Sequence, residues 1–312
     1  MSRRQLVSDE QMLEQALVDR DDTVHALPLA PARFEIEQNL FGDRRRLGFG
    51  RELVWRASAF PFFGAMRKDI ITSMGSLGQN PPQPKTRVTP SHLAGFEALA
   101  RSLGVGAIGY TSLPPEAVFR GKAVMYDHAI ALTMEMDPDR IAGAPSRRTL
   151  RMVMKTYYQL GRIITRLVDA LRQDGYGAQA GHPLNGLALY PLIAQKAGLG
   201  WCGSHGLLIT PEFGPRQRLG LIYTSIQNLP VSQTNEHQWV KDLCARCGQC
   251  LRKCPGQAIL KEPVRRELGI VTHIDVDRCF PVFAEQYGCS ICIKVCPFNL
   301  HPYERIKKAF LN

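Results

Sequence analysis

Apolar and polar residues alternate along this chain with two different spacings, which predict helices and buried strands. Residues 91–103 carry apolar side chains at helical spacing, with Ser91 as the N-cap. A longer helix is predicted over residues 147–174, with Ser146 as its N-cap and Gly175 just past its end. Its inward face is predicted to carry Leu150, Val153, Tyr157, Leu160, Ile164, Leu167, Val168 and Leu171.

Short apolar runs between these helices predict buried strands. They cover residues 105–110, 129–134, 207–209 and 219–223, and a further helix is predicted over residues 187–197. Helices and short strands therefore alternate through the middle of the chain, which indicates an α/β or α+β layer domain.

The chain is long enough for more than one folding unit. It has 312 residues, about the length at which a single core stops growing. A breaker-rich stretch at residues 78–84 separates an N-terminal extension of unknown role, residues 1–88, from the layer domain at residues 89–238. Residues 239–312 are predicted to form a small C-terminal domain.

Composition and charge narrow the class of protein. The chain is 45% hydrophobic and 21% charged, and no apolar run is long enough to span a membrane, so we expect a soluble globular protein. Its net charge of +11 favours an anionic partner, such as an acidic redox protein, a nucleic acid or a phosphorylated ligand. One basic cluster, predicted as a solvated surface, comprises Arg44, Arg45, Arg46, Arg51, Arg56, Arg67 and Lys68.

The N-terminus resembles the start of a twin-arginine export signal, with Arg3 and Arg4 after Ser2. The residues that follow, 7–22, are acidic and polar and contain no apolar segment. We therefore expect a cytoplasmic protein.

The cysteines are the strongest chemical signal. Eight of the nine lie between Cys244 and Cys296, which points to a metal site in a reducing compartment. Zinc sites also use Cys-x2-Cys pairs, but they do not require the pattern Cys-x2-Cys-x2-Cys-x3-Cys-Pro. This chain carries that pattern from Cys244 to Cys254 and repeats its last three positions from Cys289 to Cys296. In two-cluster ferredoxins the fourth cysteine of each run crosses to the other cluster. One [4Fe–4S] cluster is therefore assigned to Cys244, Cys247, Cys250 and Cys296, and the second to Cys254, Cys279, Cys289 and Cys292.

The ninth cysteine, Cys202, is predicted to be a small buried hydrophobe within a glycine-rich segment, residues 197–218. Closely spaced glycines are expected where backbone approaches a large ligand, although they also suit simple turns. This segment and the cysteine motifs resemble the superfamily of corrinoid-dependent reductive dehalogenases and epoxyqueuosine reductases, over about residues 90–300. The run 206–216 resembles the dehalogenases, whereas Trp201 after Gly200 resembles the epoxyqueuosine reductases.

The resemblance implies a nitroreductase-like layer domain that holds a cobalamin in its base-off form, followed by the ferredoxin-like domain. The two clusters would then deliver electrons to cobalt. Carried over to this sequence, the implied cofactor contacts are Gly200, Trp201, Gly203, Ser204, His205, Gly206, Leu207, Thr210 and Phe213.

Catalytic residues are likewise implied by the resemblance. Dehalogenases of this type use a tyrosine proton donor on a long helix, a nearby cation and an asparagine that positions the substrate. Tyr157 or its neighbour Tyr158 matches the tyrosine, Asn185 the asparagine, and Arg218 or Arg216 the cation. A core tyrosine and surface arginines are the plain structural alternatives.

Three functions follow from these observations. The first is reductive cleavage of a carbon–heteroatom bond, such as carbon–halogen, in a small-molecule substrate, with electrons from an acidic donor such as a ferredoxin or flavodoxin. The second is tRNA modification of the epoxyqueuosine reductase type, which the net charge favours. The third is a cobalamin reductase or electron carrier that activates a partner corrinoid protein.

Overall fold

An antiparallel sheet of four strands organises the first two thirds of the protein. The computed structural model describes residues 3–34 and 49–311. The N-terminal elements are α1 (Arg3–Val18), β1 (Val24–His25), α2 (Phe49–Gly75), α3 (Pro90–Ser102), β2 (Ile108–Ser112), β3 (Ala123–Val124), β4 (His128–Glu135) and α4 (Pro138–Ala142). The central elements are α5 (Arg147–Gln173), β5 (Ala178–Gly181), α6 (Tyr190–Lys196), β6 (Trp201–Cys202), β7 (Leu208–Ile209) and β8 (Gln217–Thr224). The C-terminal elements are α7 (Trp239–Cys247), α8 (Gln249–Lys253), β9 (Ile259–Arg265), β10 (Val271–Ile274), α9 (Val276–Glu285), α10 (Ile291–Lys294), α11 (Pro297–Leu300) and α12 (Tyr303–Leu311).

The central sheet has the order β2-β4-β8-β5 and is buried on both faces. Along β4, Ile130 and Leu132 pack on the side of α5, and Ala129 and Ala131 pack on the side of α6; all four are at most 1% exposed. A strand with both faces covered needs a continuous apolar run, which is the pattern that predicted it. The strands at β4 and β8 are therefore confirmed, each slightly longer than predicted.

Helix α5 lies across one face of the sheet. The hydroxyl of Ser146 accepts a hydrogen bond from the backbone of Thr149, which confirms the predicted N-cap. Gly220 on β8 leaves space for α5, since a Cβ at this position would lie 2.2 Å from the Cδ1 atom of Ile164. The helix therefore sits close against the strand.

Helix α3 begins earlier than predicted. Thr89, rather than Ser91, is the N-cap, and its hydroxyl accepts from the backbone of His92 at 3.3 Å. Pro90 occupies the first helical position, where its fixed φ suits the helix and its missing N–H costs nothing. The prediction of Ser91 as the cap was therefore wrong by two residues.

The segment before residue 89 packs into the same core as the sheet domain. Helix α2 runs along α5, and the side chains it buries include Trp55, Ala59, Phe63, Met66 and Ile70. Arg67 is only 8% exposed and pairs with Glu10, so the solvated surface predicted for it was wrong, whereas Lys68 is exposed. Arg44, Arg45 and Arg46 lie outside the described residues, as do the side chains of Arg51 and Arg56 and the whole of Ser2.

The C-terminal part consists of short helices and one hairpin, β9–β10, joined by its own small core. Trp239 packs against Phe298, Tyr303 and Phe310, with ring centroids 5.2 to 5.9 Å apart. Helix α9 also contacts the N-terminal segment, because Trp55 Nε1 donates to the carbonyl of Ala284 at 2.6 Å. Across residues 3–34 and 49–311, no helix combines the length and the apolar character needed to cross a membrane.

Candidate functional site

The structure brings the cysteines assigned to the first cluster together around one small cavity. Cys244 and Cys247 lie on α7, Cys250 on α8 and Cys296 just before α11, and all four line this cavity. Gly248 makes the turn between α7 and α8 with a φ of 57°, a conformation that glycine adopts without cost. The cavity is also lined by Ser204 and His205 from the glycine-rich segment.

The four cysteines assigned to the second cluster also lie near one another. Cys279 interacts electrostatically with Cys254 and Cys289, and Cys292 with all three. Burial raises the pKa of the Cys279 thiol to about 11 and that of Cys292 to about 12. Without metal these thiols would be protonated, so iron must displace their protons on binding.

The first set shows the same electrostatics with one local difference. Burial raises the pKa of the Cys250 thiol to about 11 and also raises the pKa of Cys244. Ser204 opposes this at Cys244, because the polar N–H and hydroxyl groups of Ser204 near the sulfur lower the pKa of that thiol. Within the described ranges, no three His, Cys, Asp or Glu side chains lie close enough together to hold a single metal ion.

The glycines of residues 197–218 are packed tightly against other parts of the protein. A Cβ at Gly200 would lie 2.0 Å from the carbonyl oxygen of Ile209, and one at Gly214 would lie 2.2 Å from that of Phe298. Each glycine thus lets two pieces of backbone meet. This gives both positions a role in packing that needs no ligand.

The predicted cofactor contacts fall into two groups. Buried in the protein are Gly200, Gly203, His205 and Thr210, while the partly exposed residues are Trp201, Ser204, Gly206, Leu207 and Phe213. Thr210 stabilises the turn that follows β7, since its hydroxyl hydrogen-bonds with Gln217 Oε1 at 2.8 Å and accepts from the backbone of Phe213. Cys202 packs against the main core, and burial raises its pKa to about 12.

Tyr157 and Arg218 form a direct pair. The guanidinium of Arg218 on β8 lies 4.4 Å from the ring centroid of Tyr157 on α5, within the range of a cation–π interaction. The Nε atom of Arg218 is buried and has no hydrogen-bond partner in the described part of the chain. This pair therefore has an unused donor beside an aromatic ring.

The alternative catalytic residues point to other partners. The ring of Tyr158 lies 6.3 Å from that of Phe62 on α2. Arg216 forms an ion pair with Glu135 at 2.9 Å and also contacts Asn299. The structure thus brings together Tyr157 and Arg218, and it does not bring Arg216 into the same pair.

Asn185 is held by the N-terminal segment. Its Nδ2 donates to Oε1 of Glu10 at 2.9 Å, and Arg33 donates to its carbonyl at 3.0 Å. Its backbone is left-handed, with a φ of 55°. Sequence analysis did not identify Glu10 or Arg33, because neither belongs to a motif and each lies more than 150 residues from Asn185.

A buried histidine near Tyr157 also escaped sequence analysis. A Cβ at Gly161, one helical turn after Tyr157, would lie 3.1 Å from Nδ1 of His182. That nitrogen is 3.9 Å from the carboxylate of Asp69, and burial lowers the pKa of His182 to about 4. His182 is therefore neutral near pH 7. Sequence analysis gave no signal for it, because the strand that precedes it, β5, was not predicted.

Comparisons with known proteins agree with this organisation. The family model of the 4Fe-4S dicluster domain matches residues 243–300. The tetrachloroethene reductive dehalogenase of Desulfitobacterium hafniense is 30% identical over 213 residues, which cover 63% of this chain. The epoxyqueuosine reductase of Vibrio cholerae is 37% identical over 116 residues, 34% of this chain and 30% of that protein. Over these stretches the chain is similar in sequence to both kinds of reductase.

The homology covers only part of the relatives. The chain matches 37% of the length of the D. hafniense dehalogenase. Among solved structures, the catabolic reductive dehalogenase NpRdhA in complex with 3-bromo-4-hydroxybenzoic acid superposes with a TM-score of 0.62 at 18% identity, over 86% of this chain and 44% of that one. This likeness shows a common fold: a mixed α/β domain of the reductive dehalogenase type with a ferredoxin-like C-terminal part.

Proposed function

We propose that this protein is a corrinoid-dependent iron–sulfur reductase that removes a halogen from a small organic substrate. The observation that carries the proposal is the pairing of Tyr157 with Arg218, 4.4 Å apart, in a chain that also carries a dicluster domain. This contact between two residues separated by 61 positions in the sequence supports their proposed roles as a proton donor and its supporting cation.

Two [4Fe–4S] clusters would be held by the two cysteine sets. The first set lies next to the loop that contains Ser204 and His205, so the cluster it holds would be adjacent to the glycine-rich segment. We propose an acidic ferredoxin or flavodoxin as the donor, because the net charge of +11 attracts an acidic protein.

We propose cobalamin as the cofactor that binds beside this arrangement. The buried Nε of Arg218 without a partner, next to the partly exposed ring of Tyr157, marks a place where a further polar group can bind. The five partly exposed residues of the glycine-rich segment would contact the corrin, and Asn185 would contact the substrate. When bound, the cofactor would supply a strongly reducing cobalt centre.

The residues of this chain would supply the proton that the reaction consumes. Replacing a carbon–halogen bond by a carbon–hydrogen bond consumes two electrons and one proton and releases a halide ion. The Tyr157 hydroxyl would donate that proton to the carbon atom, and the cationic guanidinium of Arg218 would stabilise the phenolate left behind. The neighbouring Tyr158, which faces Phe62, would take no part.

The test uses anaerobically purified protein loaded with hydroxocobalamin, with iron and cobalt quantified. Reduced methyl viologen supplies electrons, 3-bromo-4-hydroxybenzoic acid and tetrachloroethene are the probes, and halide release is measured. We expect Tyr157→Phe to lower turnover about 100- to 10,000-fold while cobalt stays bound, because only the proton donor is lost. Tyr158→Phe is the matched control and should stay near the wild-type rate.

Three outcomes would contradict parts of this proposal. Full turnover by Tyr157→Phe would remove the assigned proton donor. Retention of cobalt without halide release from either probe would favour a cobalamin reductase for a partner protein. Eight irons with no retained cobalt would leave an electron carrier alone.

Net charge and the 37% identity to the V. cholerae epoxyqueuosine reductase support a second candidate, a reductase that acts on tRNA. Binding to phosphate releases counterions, so affinity for tRNA would fall steeply with salt. Binding of unmodified tRNA at 50 mM and 200 mM salt separates the candidates. A strong, salt-sensitive affinity would favour the tRNA enzyme.

A further inference from the structure

The loop between β6 and β7 contributes a buried histidine to the first cysteine cavity. His205 is 1% exposed and lines the same cavity as Cys244, Cys247, Cys250 and Cys296. It lies in the segment that sequence analysis assigned to cofactor contacts, yet its ring borders the cavity of the thiols.

The hydrogen bonds of His205 fix where its proton lies. The backbone N–H of Leu207 donates to Nδ1 at 3.2 Å, so Nδ1 is an acceptor and carries no proton. The ring is therefore the neutral tautomer with its hydrogen on Nε2. That Nε2 atom is buried and has no hydrogen-bond partner among the described residues. A buried donor without a partner is costly, and such groups are almost always satisfied in the functional state.

We infer that the Nε2–H of His205 donates a hydrogen bond to a sulfur atom of the cluster held by Cys244, Cys247, Cys250 and Cys296, and thereby makes that cluster easier to reduce. The inference rests on the proposed assignment of a [4Fe–4S] cluster to these cysteines. Hydrogen bonds to cluster sulfur stabilise the more negative, reduced state, and they are one of the main controls of the potential of such clusters.

The conformation of the loop supports this role. A Cβ at Gly203 would lie 3.0 Å from Cε1 of His205 and 2.7 Å from Ile209, so only glycine leaves room for the imidazole. Gly206 has a φ of 72° and donates to the carbonyl of Gly203 at 2.8 Å, which closes the turn. Ser204, between them, lines the same cavity as Cys244. Two consecutive residues of the loop thus border the first cysteine set.

The test is an anaerobic redox titration followed by electron paramagnetic resonance, which gives a midpoint potential for each cluster without any turnover assay. We expect His205→Leu to make one of the two potentials more negative by an amount equal to a tenfold change in the reduction equilibrium, which is 59 mV for one electron. His205→Gln, whose amide can place a donor near the position of Nε2, should restore most of the wild-type potential.

His273→Gln is the matched control. This histidine lies beside the same loop, 3.3 Å from the Cβ position of Gly206, but it does not line the cavity of the first cysteine set. Both potentials should stay unchanged in this variant. Unchanged potentials in His205→Leu, or equal shifts in the Leu and Gln variants, would overturn the inference.

A measurement on the unmodified protein covers the case in which His205→Leu fails to fold or to hold iron. Pulsed electron paramagnetic resonance of reduced protein with nitrogen-15 in its histidines should detect a histidine nitrogen coupled to one cluster. Absence of that coupling in protein that contains both clusters would overturn the hydrogen bond. Absence of the clusters themselves would instead refute the underlying cluster assignment.

Discussion

Asn185 is held by two side chains from the N-terminal segment, far away in the sequence. Its left-handed backbone, at a φ of 55°, is unusual for a residue with a side chain, but asparagine tolerates it better than most. Glu10 accepts from its amide, and Arg33 donates to its carbonyl. Because the carboxylate of Glu10 takes the Nδ2 donor, Asn185 is left to present its Oδ1 acceptor to other groups.

The hydrogen bond between Asn185 and Glu10 predicts how exchanging the carboxylate and the amide changes the stability of the protein. Asn185→Asp sets a second carboxylate against the buried Glu10, so we expect the free energy of unfolding to fall by about 1–3 kcal/mol. Glu10→Gln combined with Asn185→Asp restores one donor and one acceptor and should recover most of that loss. Urea denaturation measures the four proteins of the cycle. A double variant no more stable than Asn185→Asp alone would show that the hydrogen bond is unimportant.

Some residues of the candidate site could be predicted from the sequence, and others could not. Tyr157 was found because helical spacing placed it on an inward face, and its pairing with Arg218 followed from the resemblance. Glu10 was not found, because no local pattern records a partner that lies 175 residues away. His205 was singled out as a cofactor contact, and its place in the cavity of the first cysteine set could not be predicted because it depends on the tertiary packing of the loop.

Individual helices and turns were mostly predictable, because their signals are local. The cap at Ser146 and the apolar stripe of α5 are confirmed, while α3 begins at Pro90 because a threonine followed by proline is the better start. The packing of α2 against α5 could not be predicted, since periodicity gives the buried face of a helix but not the element that covers it.

One glycine in α2 offers a stabilising change. Gly64 is exposed in the middle of the helix, and a Cβ there would meet nothing within 4 Å. We expect Gly64→Ala to stabilise the protein by about 0.5–1 kcal/mol, because alanine loses less backbone entropy on forming a helix. The check is the shift of the thermal or urea midpoint. A destabilised Gly64→Ala would show that this helix needs a bend or a contact at residue 64.

A second glycine should respond in the opposite way. Gly214 has a φ of 56°, and its Cβ would lie 2.2 Å from a backbone oxygen that cannot move aside. Gly214→Ala should therefore cost about 2–4 kcal/mol, from the left-handed conformation and from overpacking against Phe298. Gly121→Ala is the control, because Gly121 has a similar φ of 70° and open space around it. Equal losses of stability in the two variants would show that only the left-handed conformation matters and that overpacking against Phe298 does not.

On the scale of the whole molecule, the N-terminal segment and the cysteine-bearing part share one core. Phe280, Ala284 and Ile293 of the C-terminal part belong to the same cluster of buried residues as Trp55 and Leu150. The breaker-rich stretch at residues 78–84 suggested that the N-terminal extension is a separate unit, but sequence patterns do not show which surfaces are complementary. We therefore expect iron binding and the packing of α2 to be coupled.

Removal of iron tests that coupling. The free energy of metal binding to the thiols contributes to the free energy of folding. Protein stripped of iron under anaerobic reducing conditions should therefore lose order around α7 to α11. We expect faster amide hydrogen exchange there and also in α2 around Trp55, while β4 in the sheet stays protected. Hydrogen exchange with mass spectrometry reads all three regions at once. Unchanged exchange in α2 would show that the two parts are independent.

The hydrogen bond from Trp55 to Ala284 has a consequence for how the protein is made. Its two ends are 229 residues apart, so Trp55 leaves the ribosome long before its acceptor exists. Four of the eight cysteines lie at or after residue 279, and the second set cannot be assembled before then. The hydrogen bond of Trp55 therefore cannot form until Ala284 has been synthesised, and neither cysteine set is complete until Cys292 or Cys296 follows. The contact between α2 and α9 thus forms only in the last stage of synthesis of the part of the chain described here.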